Sequence, residues 1–396
     1  MSTFVSEPLD VTLRRGEPLL WAHGAGVDAT AMLGWGAALR VETHGAERMS
    51  ELSAAFRDFV TERQLPDSTI AFATATFSEN SAASSVLIVP EVIGRWRDGD
   101  LDLTANIPGV ELRIPEPREP LPERNLTFEP GDLTRTSYRA AVERAVSLLD
   151  AGEADKIVLA RDLRVRANGA LDVAALLAQL NAANSSAWTF HVDGMIGASP
   201  EMLIEVHGGE VHSRVLAGSA PVRGNAEMDD AAAAALMSSG KDHVEHEYAA
   251  RSVSSRLAPI ARLHVSTPGL IRLPTIMHLA TDITGTLTEN LSALDVVARV
   301  HPSAAVCGTP TVRAAELIYE LEGFDRGRYA GPIGWVDAAG NGEFAIALRC
   351  GQLDAGGDGI RLYAGGGIVT GSKPELELAE TAQKFLPMQN ALLGQP

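Results

Sequence analysis

The stretch WTFHVDGMIGASPEMLIEVHGGEVHSRVLAG, residues 188–218, decides the fold class. It holds several short apolar runs rich in β-formers, separated by DG and GG, which are turn signals at hairpin spacing. No helical segment intervenes, so neighbouring strands join directly and run antiparallel rather than as βαβ crossovers. The same pattern returns in GPIGWVDAAGNGEFAIALRCGQL (331–353) and IRLYAGGGIV (360–369). Upstream, TSYRAAVERAVSLLDAGEADKIVLARDLRV (136–165) reads as a helix, a glycine turn and a strand. Two longer helices are expected over 227–257 and 374–390. The Ala-rich DDAAAAALMSS (229–239) fits helix propensity better than disorder. An α+β architecture follows.

The first 130 residues mix strand-like runs, PLLWAHG, TIAFATATF and SSVLIVPEVIG, with an amphipathic stretch, MSELSAAFRDFVTERQ. A connector, RIPEPREPLPERN (113–125), follows. Its prolines lack the N–H a β ladder needs, so it reads as an exposed crossing. The expected division is residues 1–130 as the N-terminal part of the fold and residues 131–396 as the motif-dense catalytic region. No internal repeat is present.

With 396 residues and 45% hydrophobic content, the chain has the apolar surface for one large core. Fifty-one acids against 33 Lys plus Arg give a charge of −18, a field that repels nucleic acid and anionic membranes. An anionic substrate would need local positive charge. No apolar run reaches the roughly 20 residues of a membrane span, and MSTFVSEPLDVTLRR lacks a secretory pattern. Cys307 and Cys350 have no partner pattern for a disulfide framework or zinc site. A cytoplasmic protein with two reduced thiols is expected.

Asp242 and Glu245 in GKDHVEHEY, and Glu377 and Glu380 in PELELAETAQK, are pairs spaced by three, sharing a helix face. Lys384 follows Glu380 by one turn. Either pair alone reads as a solvated face. Facing each other, the four carboxylates make an oxygen-rich site suited to Mg²⁺. Gly365, Gly366 and Gly367 in AGGGIV allow close backbone approach to an anion, or a bulge. Glu201, after Pro200 in GASPEMLIE, is a candidate general acid or an exposed strand-start residue. Lys156, opening KIVLAR, either snorkels to solvent or acts as a base in a dry pocket. His278 reads as a core histidine, and Arg349 as half of an ion pair or the partner of a buried anion.

Taken in order, DKIVLAR, GASPEMLIE, LAGSAPVRG, KDHVEHEY, GFDRGRYAGPIGW, AGGGIV and AETAQK resemble the chorismate-utilising family over about residues 135–390. That family includes isochorismate, anthranilate, aminodeoxychorismate and salicylate synthases. The resemblance implies a single large unit of two antiparallel sheets packed as a sandwich, with outer helices and an active-site cleft. It implies Mg²⁺ held directly by Glu245 and Glu380, and through water by Asp242 and Glu377. Chorismate's ring carboxylate would meet the ion. Tyr329, Arg349, Gly365 to Gly367 and Lys384 would cradle the enolpyruvyl carboxylate. The motif residues Ala217, Gly218, Ser219, His278 and Ala305 are expected to complete the substrate site.

Three positions choose the branch by the same resemblance. Lys156 stands where ammonia-using relatives carry glutamine, Ala217 where the aminodeoxychorismate branch has a nucleophilic lysine, and Ala305 where salicylate synthases tend to have threonine. They point to water attack at C2 and an isochorismate product, with Lys156 as base and Glu201 as acid. The product would serve menaquinone, a catechol siderophore or salicylate made by a separate lyase. Salicylate synthesis in the same site, and non-catalytic chorismate binding, are the alternatives. A monomer without a glutamine amidotransferase subunit is expected. Val215 departs from the proline common before Leu-Ala-Gly, and Gly240 from the glutamate common before the lysine.

Overall fold

The computed structural model describes residues 2–24, 29–184, 186–272 and 276–395. Side chains of residues 2–5, 219, 241, 242, 245 and 276 lie outside the described ones. Among the described residues two antiparallel sheets carry the fold. The first has twelve strands and runs in space Ser2–Ser6, Asp100–Ala105, Val92–Arg97, Thr30–Trp35, Leu19–His23, Trp188–Val192, Met195–Ser199, Cys350–Leu353, Gly359–Ile368, Lys156–Ala167 and Gly308–Thr309, with Leu126–Pro130 beside Lys156–Ala167. The second has ten, in the order Ala261–Val265, Ile276–Leu287, Glu210–Pro221, Met202–His207, Gly342–Ile346, Pro332–Asp337, Ile70–Thr74, Ser85–Val89 and Leu39–Thr43, with Gly269–Arg272 on the side.

Strands from before and after residue 130 therefore share both sheets. Residues 111–125, which include the proline-rich connector, form no helix or strand.

The main core fills the space between the sheets. Phe190, Ile157 and Leu159 of the first meet Phe72, Ile333 and Phe344 of the second, all fully buried. The outer face of the first sheet is covered as well. Leu33, Leu101 and Leu362 pack under the helices Val173–Ala183 and Pro374–Leu392 through Leu177, Leu180 and Phe385. This double burial explains the near-continuous apolar runs in its strands.

The quoted stretch folds as two hairpins. Trp188–Val192 pairs with Met195–Ser199 around Asp193 and Gly194, both at positive φ. Met202–His207 pairs with Glu210–Pro221 around Gly208 and Gly209. Between the hairpins the chain passes from the first sheet to the second.

One helix boundary differs from expectation. The single helix anticipated over 227–257 is two, Ala226–Ser238 and Gly240–Leu257. Ser239 is extended between them (φ −73°, ψ 107°). Ser238 Oγ turns back to the carbonyls of Ala234 and Ala235, and the His243 ring reaches the Met237 carbonyl at 2.8 Å, so the first helix ends on side-chain bonds. The final helix, Pro374–Leu392, starts where expected, with proline in its first turn.

Candidate active site

Two sheet-to-sheet crossings lie side by side. Met195–Ser199 continues through Pro200 and Glu201 into Met202–His207; Gly342–Ile346 returns through Ala347 to Arg349 into Cys350–Leu353. The Ile346 N–H donates to the Glu201 carbonyl (3.0 Å), Ser199 Oγ to the Ile346 carbonyl (2.6 Å) and the Ala198 N–H to the Arg349 carbonyl (3.2 Å). Glu201 and Arg349 thus share one corner of the sandwich. Arg349 holds a left-handed backbone, φ 48°, which is uncommon for a residue with a side chain. Among the described residues it forms no ion pair. Burial pulls its guanidinium down, while Tyr329 and Glu380 act to raise it.

Lys156 begins Lys156–Ala167 and is 6% exposed, so it does not snorkel to solvent. Glu201 lies within electrostatic reach of it. Burial raises the Glu201 carboxyl from its ordinary 4.5 to about 7, and the Lys156 and Lys384 cations only partly oppose that rise. A carboxyl at that value is poised to give a proton near neutral pH.

Glu377 and Glu380 reach the middle of the glycine run. A Cβ on Gly366 would lie 3.4 Å from Glu380 Oε1 and 3.5 Å from Glu377 Oε2, so the two carboxylates converge over that glycine. Lys384 bridges Glu380 to the strand, with Nζ 2.6 Å from Glu380 Oε1 and donating at 2.8 Å to the Gly365 carbonyl. On the opposite face of the strand, a Cβ on Gly365 would meet the Leu159 carbonyl at 2.7 Å and Tyr329 Oη at 3.1 Å. Glycine is what lets the strand pass between these groups. Tyr329 is buried and stacked on Tyr363 with centroids 5.0 Å apart. Burial pushes its phenol up.

Asp242 and Glu245 belong to the helix Gly240–Leu257, but their side chains lie outside the described residues. The next residue, His246, anchors that helix. Its Nδ1 is 3.2 Å from the Ala217 carbonyl and its Nε2 2.7 Å from Thr281 Oγ1. A neutral ring donating at Nδ1 and accepting at Nε2 satisfies both, and burial lowers its proton affinity accordingly. Ala217 begins a bulge in Glu210–Pro221, with Gly218 at φ 76° and Ser219 opposite His278. The Ser219 side chain lies outside the described residues. Burial holds the His278 imidazole below its usual range; Gly218 backbone bonding opposes this, while Arg349 and Lys384 add to it. His278 beside the bulge and Glu201 thus share one cation, Lys384. Ala305 is half-buried in the segment between the helix Ala293–Val300 and Gly308–Thr309.

The described carboxylate pair suits a hard divalent cation, being oxygen donors beside a backbone bare of side chain. Among the described residues no group of three or more acid, histidine or cysteine side chains is arranged so that it could hold a metal ion. Cys307 and Cys350 are buried and free.

The sequence matches the family described as chorismate binding enzyme over residues 15–393. The chain belongs to the chorismate-binding enzymes. It is 34% identical over 365 residues to the isochorismate synthase DhbC of Bacillus subtilis, covering 89% of this chain and 88% of that one. It is 38% identical over 263 residues to the isochorismate synthase EntC of Escherichia coli K12, with 65% and 67% covered. In space it matches the crystal structure of DhbC from Bacillus anthracis, described as a 2,3-dihydroxybenzoate-specific isochorismate synthase by assignment, with a TM-score of 0.80 at 32% identity over 98% and 100% of the chains. Among the described residues of this chorismate-binding enzyme no helix is long and apolar enough to cross a membrane.

Sequence reading missed three groups packed around these positions: His246 beneath the Ala217 bulge, Arg161 donating to Thr381 at 2.8 Å under the Glu380 turn, and the buried pair Glu322 and Arg326. His246 and Arg326 stand inside quoted motifs, but only packing shows what they hold.

Proposed function

We propose that this chorismate-binding enzyme is an isochorismate synthase, an isomerase that moves the ring hydroxyl of chorismate reversibly from C4 to C2. The observation that carries the reading is Glu201, a carboxyl raised to about 7 and within electrostatic reach of Lys156. Lys156, acting as the neutral amine, takes a proton from the water that adds at C2. Glu201 gives a proton to the hydroxyl departing from C4. One water enters and one leaves, so substrate and product are isomers and no oxidant or reductant is needed.

Arg349, Lys384, Tyr329 and the backbone of Gly365 to Gly367 hold the enolpyruvyl carboxylate, while Ala217, Gly218, Ser219, His278 and Ala305 line the ring. These few cations answer the overall charge of −18. Glu245 and Glu380, with Asp242 and Glu377, would hold Mg²⁺; when bound, the ion neutralises the ring carboxylate. The small side chain of Ala217 leaves no nucleophile for amine transfer, and Ala305 stands where salicylate synthases tend to have threonine. The enzyme acts in the cytoplasm as a monomer without an amidotransferase subunit, and its site residues come from the region after residue 130.

The test is chromatography of the products formed from chorismate with Mg²⁺ and no ammonia. Isochorismate is expected, with activity lost in excess EDTA. Salicylate with pyruvate would place the chain in the salicylate branch. No product despite chorismate binding would make it a binding protein. A dominant aminated product on adding ammonium salts, or full activity in EDTA, would overturn the mechanism.

A further inference from the structure

The helix Thr311–Glu322 ends in a carboxylate that has no part in the proposed reaction. Glu322 and Arg326, 3% and 4% exposed, form an ion pair inside the protein. Burial alone would pull Arg326 down, but the Glu322 charge and hydrogen bonds reverse this and hold the guanidinium ionised.

Its other hydrogen bonds all go to segments that carry candidate site residues. Arg326 Nη2 donates to the Val158 carbonyl at 2.7 Å, two residues along the strand from Lys156. Nη1 donates to the Val306 carbonyl at 3.1 Å, next to Ala305. The guanidinium carbon lies 6.0 Å from the Tyr329 ring centroid and 4.4 Å from that of Phe77. Glu322 Oε1 accepts from the Ala160 N–H at 2.7 Å, on the Lys156 strand again.

On one edge the strand is held by its ladder with Gly359–Ile368, which stops at Ile157, one residue short of Lys156. On the other edge Lys156 and Ile157 pair with Gly308–Thr309, and the Asp155 and Val158 N–H groups donate to the Thr309 and Cys307 carbonyls, so the placing of Lys156 itself depends on this second segment. Gly308 sits so close that a Cβ would lie 2.2 Å from the Lys156 carbonyl. A small shift of either segment would move the Lys156 amine. Burying an ion pair adds little stability compared with an apolar pair of the same volume. What this pair adds is a fixed hydrogen-bonding fork between two segments.

We propose that Arg326, paired with Glu322, is a positioning residue for the reaction: it locks the Lys156 strand to the Ala305 segment and so sets where the Lys156 amine stands. This rests on the reading of Lys156 as the base of an isochorismate synthase.

The experiment measures kcat, KM for chorismate and Tm for wild type, Arg326→Lys, and the charge-free double variant Glu322→Leu with Arg326→Met. Arg326→Lys keeps the charge but not the fork. It should lower kcat about 10- to 100-fold, the scale of a misplacement near 1 Å, with KM within about threefold because the carboxylate-binding groups are untouched. The double variant leaves the Ala160 N–H and the Val158 and Val306 carbonyls without these partners, so its Tm should fall and its kcat should stay low. Near-normal kcat in the double variant, or in Arg326→Lys, would show a merely structural pair and overturn the proposal. Wild type that makes no isochorismate would overturn the functional reading itself, and this inference with it.

Discussion

Glu322, fully buried, and Glu201, half-buried, are carboxylates in one molecule whose surroundings differ in kind. Burial raises the Glu322 carboxyl, but it accepts from the Arg326 guanidinium and from the Ala160 N–H, which oppose that rise and engage its lone pairs. Glu201 has its backbone tied to Ser199 and Ile346, yet no described group hydrogen-bonds its carboxyl. It feels Lys156 and Lys384 only at a distance, and burial lifts it to about 7. A matched buried charge organises structure. An unmatched one keeps a proton available, which marks a site for chemistry.

The comparison breaks most sharply at Glu201 itself. Glu201→Gln should lower kcat by roughly 10² to 10⁴-fold, the usual range for a positioned proton donor, with the fold intact; near-normal isochorismate formation would return Glu201 to a plain strand-start residue. Lys156→Ala should fall in the same range with chorismate binding preserved, as equilibrium titration of the inactive variant can measure.

Glu322→Ala should act on stability instead. Breaking a buried pair by removing one partner costs about 3–5 kcal/mol, which a urea unfolding curve would read. A loss below about 1 kcal/mol would mean that Arg326 is matched in some other way.

A smaller effect, in pH dependence, sharpens the contrast. Native Glu201 binds its proton more tightly than the unfolded chain does, because its pKa of about 7 stands above the ordinary 4.5. The stability this lends is complete below pH 4.5 and is lost as pH rises through 7. Turnover should fall along the same limb, as the acid loses its proton. Thermal unfolding of wild type and Glu201→Gln at pH 5 and pH 8 should show the difference shrinking at the lower pH and favouring the glutamine at the higher. A pH-independent difference would refute the raised carboxyl.

The smallest effect concerns Tyr138, fully buried with a hydroxyl that has no hydrogen-bond partner among the described residues. Tyr138→Phe removes only an unpaired polar atom, so unfolding free energy should stay within about 1 kcal/mol of wild type or rise. A larger loss would point to a partner for that hydroxyl.

Much of this was readable in the order of residues. Turn pairs such as Asp193 and Gly194 announce hairpins because the strand periodicity and the turn chemistry are both local. Glu380 and Lys384 met as their spacing requires, one turn apart. The helix break at Ser239 was not readable, since the side-chain bonds from Ser238 and His243 compete with an Ala-rich propensity that favours continuing. For Glu201 the sequence left two readings open, exposed or poised. Exposure depends on what packs over the corner, and that comes from Gly342–Ile346, some 140 residues away.

The sequence by itself determined the sheet-rich α+β class, the helical carboxylate spacing and the motif order that identifies the family, since each depends on residues within a few positions of one another. Only the tertiary structure decided that Lys156 is dry, that Glu201 holds its proton to about 7 and that Arg326 grips two site segments at once. Burial and charge balance are sums over neighbours from distant parts of the chain, and no local pattern contains them.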